Sequence, residues 1–72
     1  MTHEQQTQAI EIGSVWADHE IECWLDQHEG KTMRDAPKWT LGTYCGEVES
    51  WEQESLIDST AKAIWELARV EG

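Results

Sequence analysis

The sequence predicts a small α+β domain in which a three-stranded antiparallel meander, at about residues 20–45, packs against a C-terminal helix at about 51–70. Two observations lead to this prediction. Apolar residues alternate with polar ones in the middle of the chain, and they recur at helical spacing near its end. A chain of 72 residues is expected to form one domain. An all-α fold is the alternative.

The first predicted element is a short N-terminal helix over residues 3–12. Thr2 and Gln5 have the spacing of a capping box, in which the threonine hydroxyl and the glutamine side chain each bind a free backbone N–H. Few apolar residues follow this start signal. We therefore expect the helix to be short and to fray.

The meander is predicted from the alternation of apolar and acidic residues after position 20. The apolar members of the first strand are Ile21, Cys23 and Leu25. A period of two is typical of a half-buried strand. Gly30, which can adopt a positive φ, would then lie in a hairpin turn. A return strand would cover 31–35, and a third strand would lie near 38–45.

The same segment also fits a helix, and this is why the all-α alternative stays open. Apolar or aromatic residues at helical spacing are Ala17, Ile21, Trp24, Leu25 and His28. Ser14 could be the N-cap of this helix, and Gly30 could follow its C-terminus. We favour the hairpin because Gly30 joins two segments that both have strand character.

The C-terminal helix has the clearest pattern in the chain. Its apolar stripe consists of Ile57, Ala61, Ile64, Trp65 and Ala68. Ser50 and Gln53 have capping-box spacing at its start, and Arg69 suits the last turn near Val70. Ile, Leu and Val supply only 12 of the 72 residues and Phe is absent, so the core is expected to depend on the five tryptophans.

The charge of the chain excludes several classes of function. With 15 acidic and 5 basic residues, its net charge is −10. Such a chain repels phosphate, so direct binding to nucleic acid or to an anionic membrane is not expected. The first eight residues have neither a basic stretch nor an apolar core, which predicts a cytoplasmic protein rather than a secreted one.

The predicted binding residues are two acidic clusters and one aromatic anchor. The carboxylates are Asp18, Glu20, Glu22, Asp26, Glu29, Glu47, Glu49, Glu52 and Glu54. Rows of carboxylates can present themselves to a protein that is built to bind nucleic acid. Trp16 or Trp24 would supply apolar contact area. In size and charge, the chain is similar to the small inhibitors that phages and mobile elements use against host defence enzymes.

The resulting prediction is a non-enzymatic inhibitor, such as an anti-CRISPR protein that mimics DNA charge, that needs no cofactor and blocks a basic nucleic-acid-binding protein. A second hypothesis is a subunit that forms a homodimer through its last helix and tryptophans, because a second copy would enlarge a thin core. A third hypothesis is a small zinc domain that uses His19, Cys23 and Cys45.

Overall fold

The computed structural model describes residues 1–39, 44, 46 and 48–71, which contain two long helices. Helix α1 spans His3–Gln27 and helix α2 spans Trp51–Glu71, with a short 3₁₀ helix at Met33–Asp35 between them. The described residues contain no strand, so the predicted meander at 20–45 is wrong. The all-α alternative fits the structure.

Helix α1 begins where the capping box predicts, but it is much longer than expected. The Thr2 hydroxyl accepts the backbone N–H of Gln5 at 3.1 Å, and the Thr2 N–H donates to the Gln5 side chain at 3.0 Å. No proline interrupts the 25 residues that follow. The chain leaves the helix just before Gly30, whose φ of 85° is in the left-handed region.

The alternation after position 20 was misleading because Ile21 and Leu25 fit both the strand period and the helix period. In a strand, Ile21 and Leu25 would share one face. In the structure, Ile21 and Trp24 pack against the core, whereas Leu25 is 36% exposed. The helical period of 3.6 therefore determines which side chains are buried.

The other two predicted strands also differ from the structure. The segment 31–35 contains the 3₁₀ helix, whose Met33 is buried and whose Asp35 side chain accepts the Thr32 N–H at 3.3 Å. Within 38–45, the described residues 38, 39 and 44 have irregular backbone. The remaining positions of that predicted strand lie outside the described residues.

The prediction for the C-terminal helix is confirmed. The Ser50 hydroxyl accepts the N–H of Gln53 at 3.3 Å, while the Gln53 side chain accepts the N–H of Glu49, one residue earlier than predicted. Ile57 and Ala61 of the apolar stripe are fully buried, and Trp65 is 4% exposed.

The two helices run parallel to each other. Near their N-termini, the Gln53 side chain donates to the carbonyl of Gln5 at 3.2 Å. Near their C-termini, Trp24 and Ala68 pack against the same apolar cluster. The connecting segment 28–50 must therefore return along the helix pair, and we call it the crossover.

Small residues let the helix backbones come close. On α1, Ala9, Gly13 and Ala17 are buried and recur every four residues. A Cβ atom on Gly13 would lie 2.8 Å from both the Ile57 carbonyl oxygen and the Thr60 Cβ. These distances are shorter than ordinary van der Waals contact, so this position requires glycine.

Side chains of α2 hold the crossover through its backbone. Irregular backbone has no ladder partners, so its buried N–H and C=O groups need other ones. Four such hydrogen bonds are Trp65 Nε1 to Pro37 O at 2.9 Å, Arg69 Nε to Ala36 O at 2.9 Å, Trp39 N to Glu66 at 3.0 Å and Tyr44 N to Asp58 at 3.0 Å. They attach residues 36, 37, 39 and 44 of the crossover to α2.

Indole rings fill the space between the crossover and the helices, as the composition predicts. The rings of Trp16 and Trp39 meet edge to face with centroids 5.1 Å apart, and those of Trp39 and Trp65 are 5.6 Å apart. Tyr44 extends this contact on the other side of Trp16. One aromatic chain thus joins α1, the crossover and α2.

Candidate protein-binding surface

The outer face of α1 carries a row of carboxylates, which we call the acidic stripe. Its members are Glu4, Glu11, Asp18, Glu22 and Asp26, and all five are exposed. At 3.6 residues per turn they lie within an arc of about 80°, and they extend over about 33 Å of helix. Helix α1 contains no Lys or Arg. Neither ion pair found among the described residues involves a stripe carboxylate.

Three of the predicted binding residues belong to this stripe. Asp18, Glu22 and Asp26 follow one another at intervals of four residues, so neighbouring carboxylates are about 6 Å apart. Glu4 and Glu11 were missed by the sequence prediction because it ended the N-terminal helix at residue 12. The interval of seven residues from Glu4 to Glu11, and again from Glu11 to Asp18, would have identified them once α1 was known to be continuous.

The remaining predicted carboxylates on α1 and in the following turn point elsewhere. Glu20 is half-buried and lines a small cavity that also includes Trp24 and Lys38. Glu29 is exposed in the turn after α1. Glu47 lies outside the described residues.

The second predicted cluster lies at the N-terminal end of α2. Glu49 is exposed and accepts a hydrogen bond from the Gln5 side chain. Glu52 is exposed, 3.8 Å from the amino group of Met1, and Glu54 is half-buried. The predicted carboxylates therefore do not form one continuous surface.

Both predicted aromatic anchors take part in the interior of the fold. Trp16 is half-buried between Trp39 and Tyr44. Trp24 is half-buried, packs against the core and stacks on His28 with ring centroids 4.3 Å apart. The most exposed tryptophan among those the structure describes is Trp51, at 77%.

Residues with the chemistry of a metal site are only partly brought together. His19 Nε2 and Cys23 Sγ are 3.6 Å apart on the same side of α1. The third predicted ligand, Cys45, lies outside the described residues. In residues 1–39, 44, 46 and 48–71, no three His, Cys, Asp or Glu side chains are grouped closely enough to hold a metal ion.

An open cavity of about 470 Å³ lies between α1 and the crossover. Its described lining is Glu11, Ile12, Val15, Trp16, His19 and Tyr44. The walls are mostly apolar and aromatic, which suits the cavity to holding an apolar group.

One carboxylate with a shifted pKa has a structural role. The backbone N–H of Trp39 donates to Glu66 and holds the pKa of that carboxyl below its usual value. Arg69, which forms an ion pair with Glu66, shifts the pKa in the same direction, and partial desolvation opposes both. Glu66 therefore serves to attach the crossover to α2.

Comparison with known proteins identifies no relative for this chain. No protein-family model, no curated protein and no solved structure matches it. Among the described residues, neither helix has the combination of length and apolar character that crossing a membrane requires.

Proposed function

We propose that this protein is a non-enzymatic, acidic inhibitor that occupies the basic surface of a nucleic-acid-binding protein. The observation that supports the proposal is the acidic stripe, five exposed carboxylates on a helix that has no Lys or Arg. A phage or mobile-element anti-defence protein, such as an anti-CRISPR that mimics DNA charge, would act in this way. We place its action in the cytoplasm, where such a target works.

The acidic stripe lowers the stability of the unbound protein. Like charges four residues apart on a helix destabilise it by about 0.2–0.5 kcal/mol per pair. Glu22 forms such a pair with Asp18 and another with Asp26. A partner that places Lys or Arg side chains beside these carboxylates would replace the repulsion with attraction. Binding to a basic surface therefore accounts for a feature that folding alone does not favour.

The geometry of the stripe is compatible with competition against a nucleic-acid strand. Its three closest carboxylates are about 6 Å apart, while phosphates of one DNA strand follow each other at about 3.4 Å along the duplex axis. The stripe thus has about half the linear charge density of a strand, on a rigid support. Such a field steers a basic partner toward the helix and speeds association.

The proposal can be tested with two variants that carry the same net charge. One variant, Asp18→Asn with Glu22→Gln, removes two charges from the stripe. The control, Ser55→Lys with Ser59→Lys, makes the same change in net charge on exposed residues of α2. Each tagged protein is used to capture proteins from bacterial lysate at several salt concentrations, and captured proteins are identified by mass spectrometry.

The proposal predicts capture of a nucleic-acid-binding protein at low salt, competition by DNA, and loss of DNA binding by that protein in a gel-shift assay. The stripe variant should capture much less of it than the control does. Equal capture by the two variants would refute a role for the stripe. Capture that DNA does not reduce would refute competition for the nucleic-acid site.

A further inference from the structure

His19 and Cys23 present two metal-binding atoms side by side on α1. Because they are four residues apart in a helix, the two side chains lie on the same face in consecutive turns. His19 Nε2 and Cys23 Sγ are 3.6 Å apart. The His19 side chain is exposed and Cys23 is half-buried, so an ion could reach both atoms from solvent.

The separation of these two atoms matches the separation that a zinc ion imposes on its ligands. Zinc binds histidine nitrogen at about 2.0–2.1 Å and cysteine sulfur at about 2.3 Å, in tetrahedral geometry. Two ligands at these distances and at an angle of about 109° lie about 3.6 Å from each other. The two side chains therefore fit the ion without movement of the α1 backbone.

We propose that His19 and Cys23 form a surface site that binds one Zn²⁺ ion through His19 Nε2 and Cys23 Sγ. Imidazole nitrogen and thiolate sulfur suit zinc, whereas Mg²⁺ and Ca²⁺ prefer oxygen ligands. On binding, the Cys23 thiol loses its proton to solvent, and the sulfur and Nε2 each donate an electron pair to the ion. No third ligand joins the pair within the part of the chain that the structure describes, so water completes the tetrahedron.

The charge around the pair favours a cation. Two exposed members of the acidic stripe are close to it: Glu22 lies about 60° around α1 from His19, and Asp18 about 100°. Replacement of the thiol proton by Zn²⁺ adds one positive charge beside these carboxylates, which reduces their mutual repulsion. The ion also links two turns of α1, so it should stabilise the folded protein. The proposal is independent of the proposed inhibitory function.

The site can be tested with Co²⁺ as a spectroscopic probe and Zn²⁺ as its competitor, on the reduced, metal-free full chain. A bond between cobalt and thiolate gives a charge-transfer band in the near ultraviolet, and the ligand-field bands report tetrahedral geometry. Zn²⁺ binds such sites more tightly than Co²⁺, so displacement of Co²⁺ gives the stoichiometry and affinity of zinc. Excess Mg²⁺ should leave the bands unchanged, because it prefers oxygen ligands.

The unmodified protein should show both kinds of band and bind one Zn²⁺ per chain. Cys23→Ser should abolish the charge-transfer band. His19→Gln should weaken zinc binding by at least about tenfold, because even outer-shell partners of a metal contribute that much. The matched controls are Cys45→Ser and His3→Gln, which make the same chemical changes elsewhere and should leave spectrum and affinity unchanged. Circular dichroism verifies that every variant stays helical.

A melting temperature that rises with Zn²⁺ in the unmodified protein, but not in Cys23→Ser, would give independent support. Three results would overturn the proposal. Zinc affinity that is unchanged in both Cys23→Ser and His19→Gln would place the ion on other groups, such as the carboxylates. Loss of the charge-transfer band in Cys45→Ser would mean that a third protein ligand closes the site. Half a zinc ion per chain, together with a zinc-dependent dimer in analytical ultracentrifugation, would mean that a second copy supplies the remaining ligands instead of water.

Discussion

Replacement of Gly13 by alanine tests the closest approach of the two helices. In an exposed helix position, glycine is about 1 kcal/mol less favourable than alanine, so the substitution would normally stabilise the protein. At position 13 the added methyl group would meet the Ile57 carbonyl oxygen and the Thr60 Cβ, both at 2.8 Å. Neither atom is at the free end of a flexible side chain, so the helices themselves would have to move apart.

The expected magnitude follows from these two opposing effects. Carbon contacts are most favourable at about 3.5–4.0 Å, so each close contact must open by roughly 0.7 Å or more. Overpacking of this kind costs about 1–3 kcal/mol. After subtraction of the gain in helix propensity, Gly13→Ala should lower the free energy of unfolding by about 1 kcal/mol. For a domain of this size, the melting temperature should fall by roughly 4–8 °C.

The assay is urea and thermal unfolding followed by circular dichroism at 222 nm. A matched reference comes from Val15, which is 64% exposed on the same helix. There, the alanine variant should be more stable than the glycine variant by about 1 kcal/mol. If Gly13→Ala stabilised the protein by the amount seen between those two variants, the close parallel packing of α1 and α2 would be refuted.

Three further predictions concern charge and the crossover. Glu22→Gln removes two like-charge pairs and should raise the free energy of unfolding by about 0.4–1 kcal/mol at low salt. Urea titrations in 1 M NaCl should show no such increase, because salt screens the charges. An increase that persisted in 1 M NaCl would argue against repulsion between the carboxylates as its cause. Glu66→Gln should destabilise the protein at pH 7, because the pKa of Glu66 is lowered in the folded state by Trp39 and Arg69. The contribution of Glu66 to the free energy of unfolding is present above pH about 4.5 and disappears as the pH falls through the lower folded-state pKa. Urea unfolding should therefore show a smaller difference in stability between Glu66→Gln and the unmodified protein at pH 3 than at pH 7. A difference that stays constant would contradict this. Trp65→Phe removes the donor to the Pro37 carbonyl and should cost about 1–3 kcal/mol in chemical denaturation, and an unchanged midpoint would mean that water replaces the indole N–H.

The sequence was sufficient to predict features that depend on neighbours within one or two turns. Thr2 and Gln5 mark the start of α1, because a capping box satisfies local backbone groups. The apolar residues from Ile57 to Ala68 recur at helical spacing and predict α2. The five tryptophans predict a core made of indole rings. For the candidate surface, the spacing of Asp18, Glu22 and Asp26 predicted one row of carboxylates, on the condition that this segment is a helix.

Only the tertiary structure decided whether residues 20–27 form a strand or a helix. Ile21 and Leu25 fit either period within so short a window. The choice depends on the cluster of Met33, Ala36 and Trp65, against which Ile21 and Trp24 pack. Asp58 and Glu66 resemble solvated helix residues in the sequence, yet they bind backbone groups of the crossover. No local pattern encodes these contacts, because each joins residues at least 14 positions apart, and their energy arises only when the chain has folded.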